Sequence, residues 1–174
     1  MRRFHPPHIY QDNKFYFITA RTFKNRGFFN TPAKKSMFVQ SLRTAAEKFS
    51  FELIAWVFLD HHYHMIIKVG LGKQLGRFIN NLHVNSSRLL NKLENKNGRK
   101  IWYQYWDRCI RSERDFWTRI NYIHYNPVKH GYAAKMENHL FSSYNAYIKT
   151  RGKDWIDSCF LDYPIIDFTL EESD

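Results

Sequence analysis

Residues 51–69 carry the strongest constraint on the fold: two runs of strand-forming residues separated by one polar dipeptide. Residues 51–59 (FELIAWVFL) are apolar at both alternating sets of positions, and residues 62–69 (HYHMIIKV) return after Asp60-His61. Two such runs joined by so short a turn close as an antiparallel hairpin. A strand apolar on both faces is expected to be central in its sheet and covered on both sides. Side chains alternate along the returning strand, so His62 and His64 share one face while Tyr63 points to the other. Two imidazoles side by side on one strand can hold one metal ion.

The rest of the chain supplies partners for this hairpin. Residues 14–21 (KFYFITAR) are β-branched and aromatic and read as a strand. Thr31-Pro32 is an N-cap followed by a first-turn proline, and residues 33–49 repeat apolar side chains at helical spacing. After Gly70 and Gly72, Leu75, Phe78, Ile79, Leu82, Leu89, Leu90 and Leu93 mark a second amphipathic helix. Residues 101–111 (IWYQYWDRCIR) form a further strand, and Ser112-Glu113-Arg114-Asp115 is a capping box that opens a third helix. Pro127 is expected to end or kink that helix. The order strand, helix, strand, strand, helix, strand, helix is the split βαβ pattern of a ferredoxin-like α+β domain, with a central antiparallel sheet and helices packed on it.

Charge narrows the class of partner. The chain carries 27 Lys and Arg against 16 Asp and Glu, a net charge of +11. Residues 154–174 hold seven of the acids and no Lys or Arg, which leaves 27 basic and 9 acidic groups, a net +18, on residues 1–153. A body this basic, and 18% aromatic over the whole chain, reads as a nucleic-acid binder. We therefore divide the chain into a catalytic domain over 1–150 and an acidic tail over 151–174. That tail either competes with DNA for the basic groove or is docked by Trp155, Phe160 and Phe168. The apolar runs are too short to cross a bilayer, the start lacks an apolar leader, and Cys109 and Cys159 make no disulfide framework. A cytoplasmic location without membrane partners is the expectation.

The chemistry concentrates on the third helix. At about 100° per residue, Phe116, Ile120 and Ile123 form its core face. Asp115, Arg119, Tyr122 and Asn126 form a second stripe roughly 60–120° away. A divalent ion on His62 and His64, with Asn126 as an oxygen ligand, would polarise a phosphodiester and offset its developing charge. Mg²⁺ and Mn²⁺ both suit such a site, Mn²⁺ tolerating nitrogen ligands better. Tyr122 is then placed to attack phosphorus and form a covalent phosphotyrosine. Arg77, Arg111, Arg119 and Lys129 are the cations assigned to DNA. Two alternatives use the same residues: a non-catalytic single-stranded nucleic-acid-binding module, and a metal-dependent nuclease that activates water and leaves Tyr122 structural.

Several blocks, in order, resemble one family. They are Ala55-Trp56-Val57-Phe58-Leu59-Asp60-His61-His62-Tyr63-His64, Trp106-Asp107-Arg108-Cys109-Ile110-Arg111, Tyr122-Ile123-His124-Tyr125-Asn126-Pro127-Val128-Lys129-His130-Gly131, and Phe141-Ser142-Ser143-Tyr144-Asn145-Ala146-Tyr147. Together they resemble the REP-associated tyrosine transposases, within the single-tyrosine HUH transposases of bacterial insertion sequences. The resemblance spans about residues 10–148. It implies a ferredoxin-like fold, single-stranded DNA nicking and joining through a 5′-phosphotyrosine, and hairpin substrates with a short guide sequence. It assigns His62, His64 and Asn126 to the metal and Tyr122 to nucleophilic attack. It also implies a bacterial, nucleoid-associated enzyme. Insertion-sequence relatives are dimers whose tyrosine helix crosses between subunits, whereas the REP-associated group is typically monomeric; a monomer is expected here, with a homodimer the other option. Asp60-His61 stands where the family has Pro-Asn, and Tyr63 is bulkier than the usual aliphatic residue.

Overall fold

The computed structural model, which describes residues 10–168, has the four strands and three helices in the order the sequence pattern predicts, followed by two further α-helices that it did not. They are β1 (Lys14–Thr22), α1 (Pro32–Phe49), β2 (Glu52–Phe58), β3 (His62–Val69), α2 (Leu75–Leu93), β4 (Trp102–Cys109), α3 (Glu113–Lys129), α4 (Tyr144–Arg151) and α5 (Lys153–Asp162). The sheet order is β2-β3-β1-β4, and each adjacent pair is antiparallel. This is the ferredoxin-like arrangement the element order implies.

Local chemistry sets the helix ends. The Thr31 hydroxyl accepts the Lys34 backbone N–H at 3.4 Å ahead of Pro32, and Ser112 accepts that of Asp115 at 3.1 Å. Both satisfy donors that a helix start leaves unpaired. The helix does not end at Pro127; α3 runs on to Lys129. It ends instead in a Schellman turn, with Tyr132 N–H bonded to Pro127 O, Gly131 N–H to Val128 O, and Gly131 at φ +71°. Proline removes one donor, and the helix runs two residues further to Lys129 before the His130 cap and Gly131, which can adopt the left-handed turn.

The sheet separates two apolar layers. On one side α1 and α2 pack Phe38, Leu42, Phe78, Ile79 and Leu82 against Tyr16, Ile18, Tyr63, Met65 and Ile67. Phe38 stacks on Phe58 with centroids 3.8 Å apart, and Phe29 and Trp102 complete the group. On the other side α3 lays Ile120, Tyr122 and Ile123 over Phe17, Ala55, Val57 and Ile66.

β2 is an edge strand, not the central one its apolar character suggests. Both its faces are covered, and its open edge is closed by residues 141–143. Phe58 N–H donates to Phe141 O at 2.9 Å, Ser143 N–H donates to Trp56 O at 2.9 Å, and Val57 bridges Ser142. A sheet edge paired by a short return segment is as enclosed as an interior strand, so composition alone does not separate the two. The register slips between Leu53 and Ala55, which puts both Ile54 and Ala55 on the α3 side.

The boundary expected at residue 150 falls inside α4, and the residues beyond it keep packing on α3. Ile156 and Cys159 of α5 are buried, Trp155 meets Trp117 edge-on at 5.4 Å, and the Asn121 side-chain amide donates to Cys159 O and Tyr163 O at 3.0 and 2.8 Å. Phe168 is buried as well, whereas Phe160 is only partly covered. No helix among the described residues is long and apolar enough to cross a membrane.

Candidate active site

The site forms where α3 crosses the sheet above β3. His62 and His64 are both buried on the α3 side, with ring centroids 5.1 Å apart, while Tyr63 faces α2 and hydrogen-bonds His83 Nε2 at 2.9 Å. The alternation expected of a strand therefore holds through the motif. α3 brings two of its stripe residues to the histidines. Asn126 Oδ1 lies 3.1 Å from His62 Nε2, and the Tyr122 ring meets the His64 ring edge-on at 5.2 Å. Asn126 and Tyr122 are four apart on the helix, so one helical face delivers both.

The surrounding residues hold the imidazoles in place. Thr19 of β1 sits opposite His64 and its hydroxyl lies 2.7 Å from His64 Nδ1. Phe17 stacks on the other side of the His64 ring at 5.7 Å. Burial pushes the His62 pKa down to about 3, with the nearby His61 and His130 adding to the effect, and drives His64 well below the ordinary histidine range for the same first reason. Both imidazoles are then neutral at physiological pH, the form that can donate a lone pair to a cation.

Three buried donor atoms are available to a divalent ion: two imidazoles and one amide oxygen. Cis ligands of an octahedral ion bonded at about 2.1 Å lie about 3 Å apart, the spacing seen between His62 Nε2 and Asn126 Oδ1. The Asn126 amide nitrogen is buried and has no hydrogen-bond partner among the described residues. An amide held at one end only is poised to turn its oxygen to a ligand. The residues present thus fit a small divalent ion. Among the described residues there is no cluster of three or more His, Cys, Asp or Glu that could hold one; the set here has two histidines, and its third member is an amide. Of the two residues that depart from the family pattern, Asp60 pairs with Lys35 at 2.6 Å, whereas the His61 ring lies beside His62 with centroids 4.6 Å apart and its Nδ1 is 3.4 Å from the Tyr132 hydroxyl.

The four basic residues assigned to DNA separate in space. Lys129 is at the site, its ammonium 5.1 Å from the centre of the Tyr122 ring. Arg119 is enclosed, only 1% exposed, bonded to Asp115 at 2.7 Å and flanked by the rings of Phe17 and Phe168. Arg111 is exposed just before α3, and Arg77 is exposed on α2, across the sheet from the histidines.

Sequence reasoning offered Phe168 as a residue that docks the tail but did not place it over Tyr122. The tyrosine is 1% exposed, and Phe168 meets its ring edge-on at 5.2 Å. The neighbouring Asp167 pairs with Lys129 at 2.7 Å. A lone phenylalanine in an acidic segment carries no periodic signal, so nothing in the sequence ties it to this helix. Thr19 was equally silent, since a threonine in a strand is ordinary.

Comparison with known proteins agrees with this architecture. The family model described as "Transposase IS200 like" matches residues 11–126. A putative REP-associated tyrosine transposase of Haemophilus influenzae is 29% identical over 130 residues, covering 68% of this chain and 74% of the relative. A REP-associated tyrosine transposase of Escherichia coli K12 is 30% identical over 96 residues, 55% of each chain. A solved structure of a REP-associated tyrosine transposase bound to a REP hairpin superposes with a TM-score of 0.71 at 20% identity, covering 84% of this chain and 86% of that one. At that identity the structural likeness speaks for the fold.

Proposed function

The chain belongs to the IS200-like transposases and is an enzyme of that family; from this premise we propose that it nicks and rejoins single-stranded DNA next to a hairpin, with Tyr122 as the attacking group. The observation that carries this reading is the convergence of Tyr122 and Asn126, from one helix, on His62 and His64 of one strand. The hairpin preference is taken from the relative whose structure holds a REP hairpin.

His62, His64 and Asn126 would hold Mg²⁺ or Mn²⁺, and the ion, when bound, supplies Lewis-acid polarisation of a phosphate oxygen. The chain's own groups do the rest. The Tyr122 hydroxyl oxygen attacks phosphorus, forming the new P–O bond as the bond to the DNA 3′-oxygen breaks. The tyrosine proton passes to solvent, and the 3′-oxygen takes a proton from solvent and departs as a hydroxyl. The ammonium of Lys129, beside the Tyr122 ring, is placed to offset negative charge on the phosphate. Thr19 fixes the orientation of His64 through Nδ1. The phosphotyrosine retains the energy of the cleaved ester, so a second strand can be joined by reversal of the same step. Both halves of the site lie in one chain, which supports a monomer as the working unit.

The test is a covalent adduct resolved on denaturing gels after incubation with a hairpin carrying single-stranded flanks and Mn²⁺ or Mg²⁺. Wild-type protein should form it, Tyr122→Phe should not, and Tyr125→Phe should. Cleavage without any adduct would support the water-activating nuclease instead, and binding without cleavage the non-catalytic module. Nicking that persists in EDTA would remove the metal from the mechanism.

A further inference from the structure

α3 packs mainly on β2 and β3; on the same face of β1 and β4, Thr19 is buried, Arg21 and Trp106 are partly exposed and Arg108 is exposed. Residues directly opposite one another in a sheet share a face. Thr19 is opposite His64 on one side and opposite Trp106 on the other, and its bond to His64 shows which face all three occupy. Two strand spacings of about 4.8 Å place the Trp106 backbone about 10 Å from that of His64. Arg21, two residues along β1, is opposite His62 and shares this face; its guanidinium lies 5.9 Å from the centre of the Trp106 ring. Arg108, two residues along β4, is exposed on the same face.

Trp106 lies beside the buried Thr19 but outside the apolar core. Neither apolar cluster among the described residues includes it, and it remains partly exposed. A large flat ring one strand spacing beyond Thr19 and beside the Arg21 guanidinium, with Arg108 two residues along β4, suits an unpaired base followed by its phosphates. Bases in a duplex are already stacked, so the platform selects unpaired nucleotides.

We propose that Trp106, together with Arg21 and Arg108, is the stacking platform that holds a base of the single-stranded segment next to the cleaved phosphate, and so sets which phosphate reaches Tyr122. The proposal rests on the DNA-nicking function given above. Stacking accepts any base, so Trp106 fixes the register of the strand rather than reading its sequence.

The test measures binding in the Tyr122→Phe protein, where chemistry does not intervene, using a DNA hairpin with and without single-stranded thymidine flanks. Each flanked probe carries 2-aminopurine at one flank position. The flanked hairpin should bind more tightly than the bare one, and one position should show quenching on binding. Adding Trp106→Ala should weaken flanked-hairpin binding roughly 5- to 150-fold, with bare-hairpin binding unchanged and the quenching lost. Trp106→Phe should retain most of both, which guards against misfolding. Arg21→Gln should reduce the salt slope by about 1. Equal affinity for the two hairpins, equal weakening of both by Trp106→Ala, or quenching that survives Trp106→Ala would overturn the proposal. Adduct formation by the wild-type protein is read separately, so failure of the tyrosine mechanism leaves this result interpretable.

Discussion

The two faces of the sheet are built from different materials. The α1/α2 face buries rings against rings: Phe38, Phe58, Phe29, Phe78 and Trp102, with the Tyr63–His83 and Trp102–Ser86 bonds and the Gln11 N–H bond to the Tyr16 hydroxyl among its polar contacts. The α3 face buries His62, His64, Arg119, Asn121, His124 and Asn126 alongside a smaller apolar group. Buried polar groups cost stability unless partnered, whereas buried rings add to it. One layer therefore holds the sheet, and the other uses that rigidity to keep polar groups in a fixed array.

The largest effect expected from this contrast is on stability. Phe38→Ala should destabilise the protein by about 3–5 kcal/mol. Nicking at a temperature where the variant stays folded should be near wild type. A loss of nicking in folded Phe38→Ala would show that the layers are not separable.

His64→Ala is the counterpart on the other face. It should slow nicking by about 10²–10³-fold or more, by analogy with removal of one group that stabilises transition-state charge. Its melting temperature should fall less than that of Phe38→Ala, and hairpin affinity should be largely kept, because phosphate contacts dominate binding. Unchanged nicking would remove His64 from the site.

Acid should separate the faces more gently. Burial holds His62, His124 and His83 at about 3 and His64 well below the ordinary value of 6.5. The unfolded chain then binds more protons, so this stability is complete above about pH 6.5 and declines as pH falls toward 3, on the order of 1 kcal/mol per pH unit per histidine. Three of these histidines lie on the α3 side and one on the α2 side. Hydrogen exchange, corrected for its intrinsic pH dependence, should show α3 losing protection before α1 and α2. Simultaneous loss would mean that the faces unfold as one unit.

The smallest effect concerns the segment over Tyr122. Deleting residues 164–174 keeps α5 and its bonds to Asn121 but removes Phe168 and Asp167. Adduct formation should rise a few-fold and non-specific DNA binding should tighten, most at low salt where screening is weakest. Slower adduct formation with an unchanged melting temperature would show that the segment is part of the working site.

The sequence by itself determined the order of the four strands and the first three helices, and the shared face of His62 and His64. Those follow from periods of 2 and about 3.6, which are local properties of the backbone. The same arithmetic put Tyr122 and Asn126 on one stripe of α3, and the ordered motifs identified the family. Only the tertiary structure decided that this stripe faces the histidines and is sealed from water, and that β2 is an edge strand closed by residues 141–143. It alone tied Thr19 to His64, laid Phe168 over Tyr122 and enclosed Arg119, which the sequence had offered to DNA. Each of these depends on contacts between residues far apart in the chain. No local period encodes them, because the sheet register and the docking of α3 choose the partners.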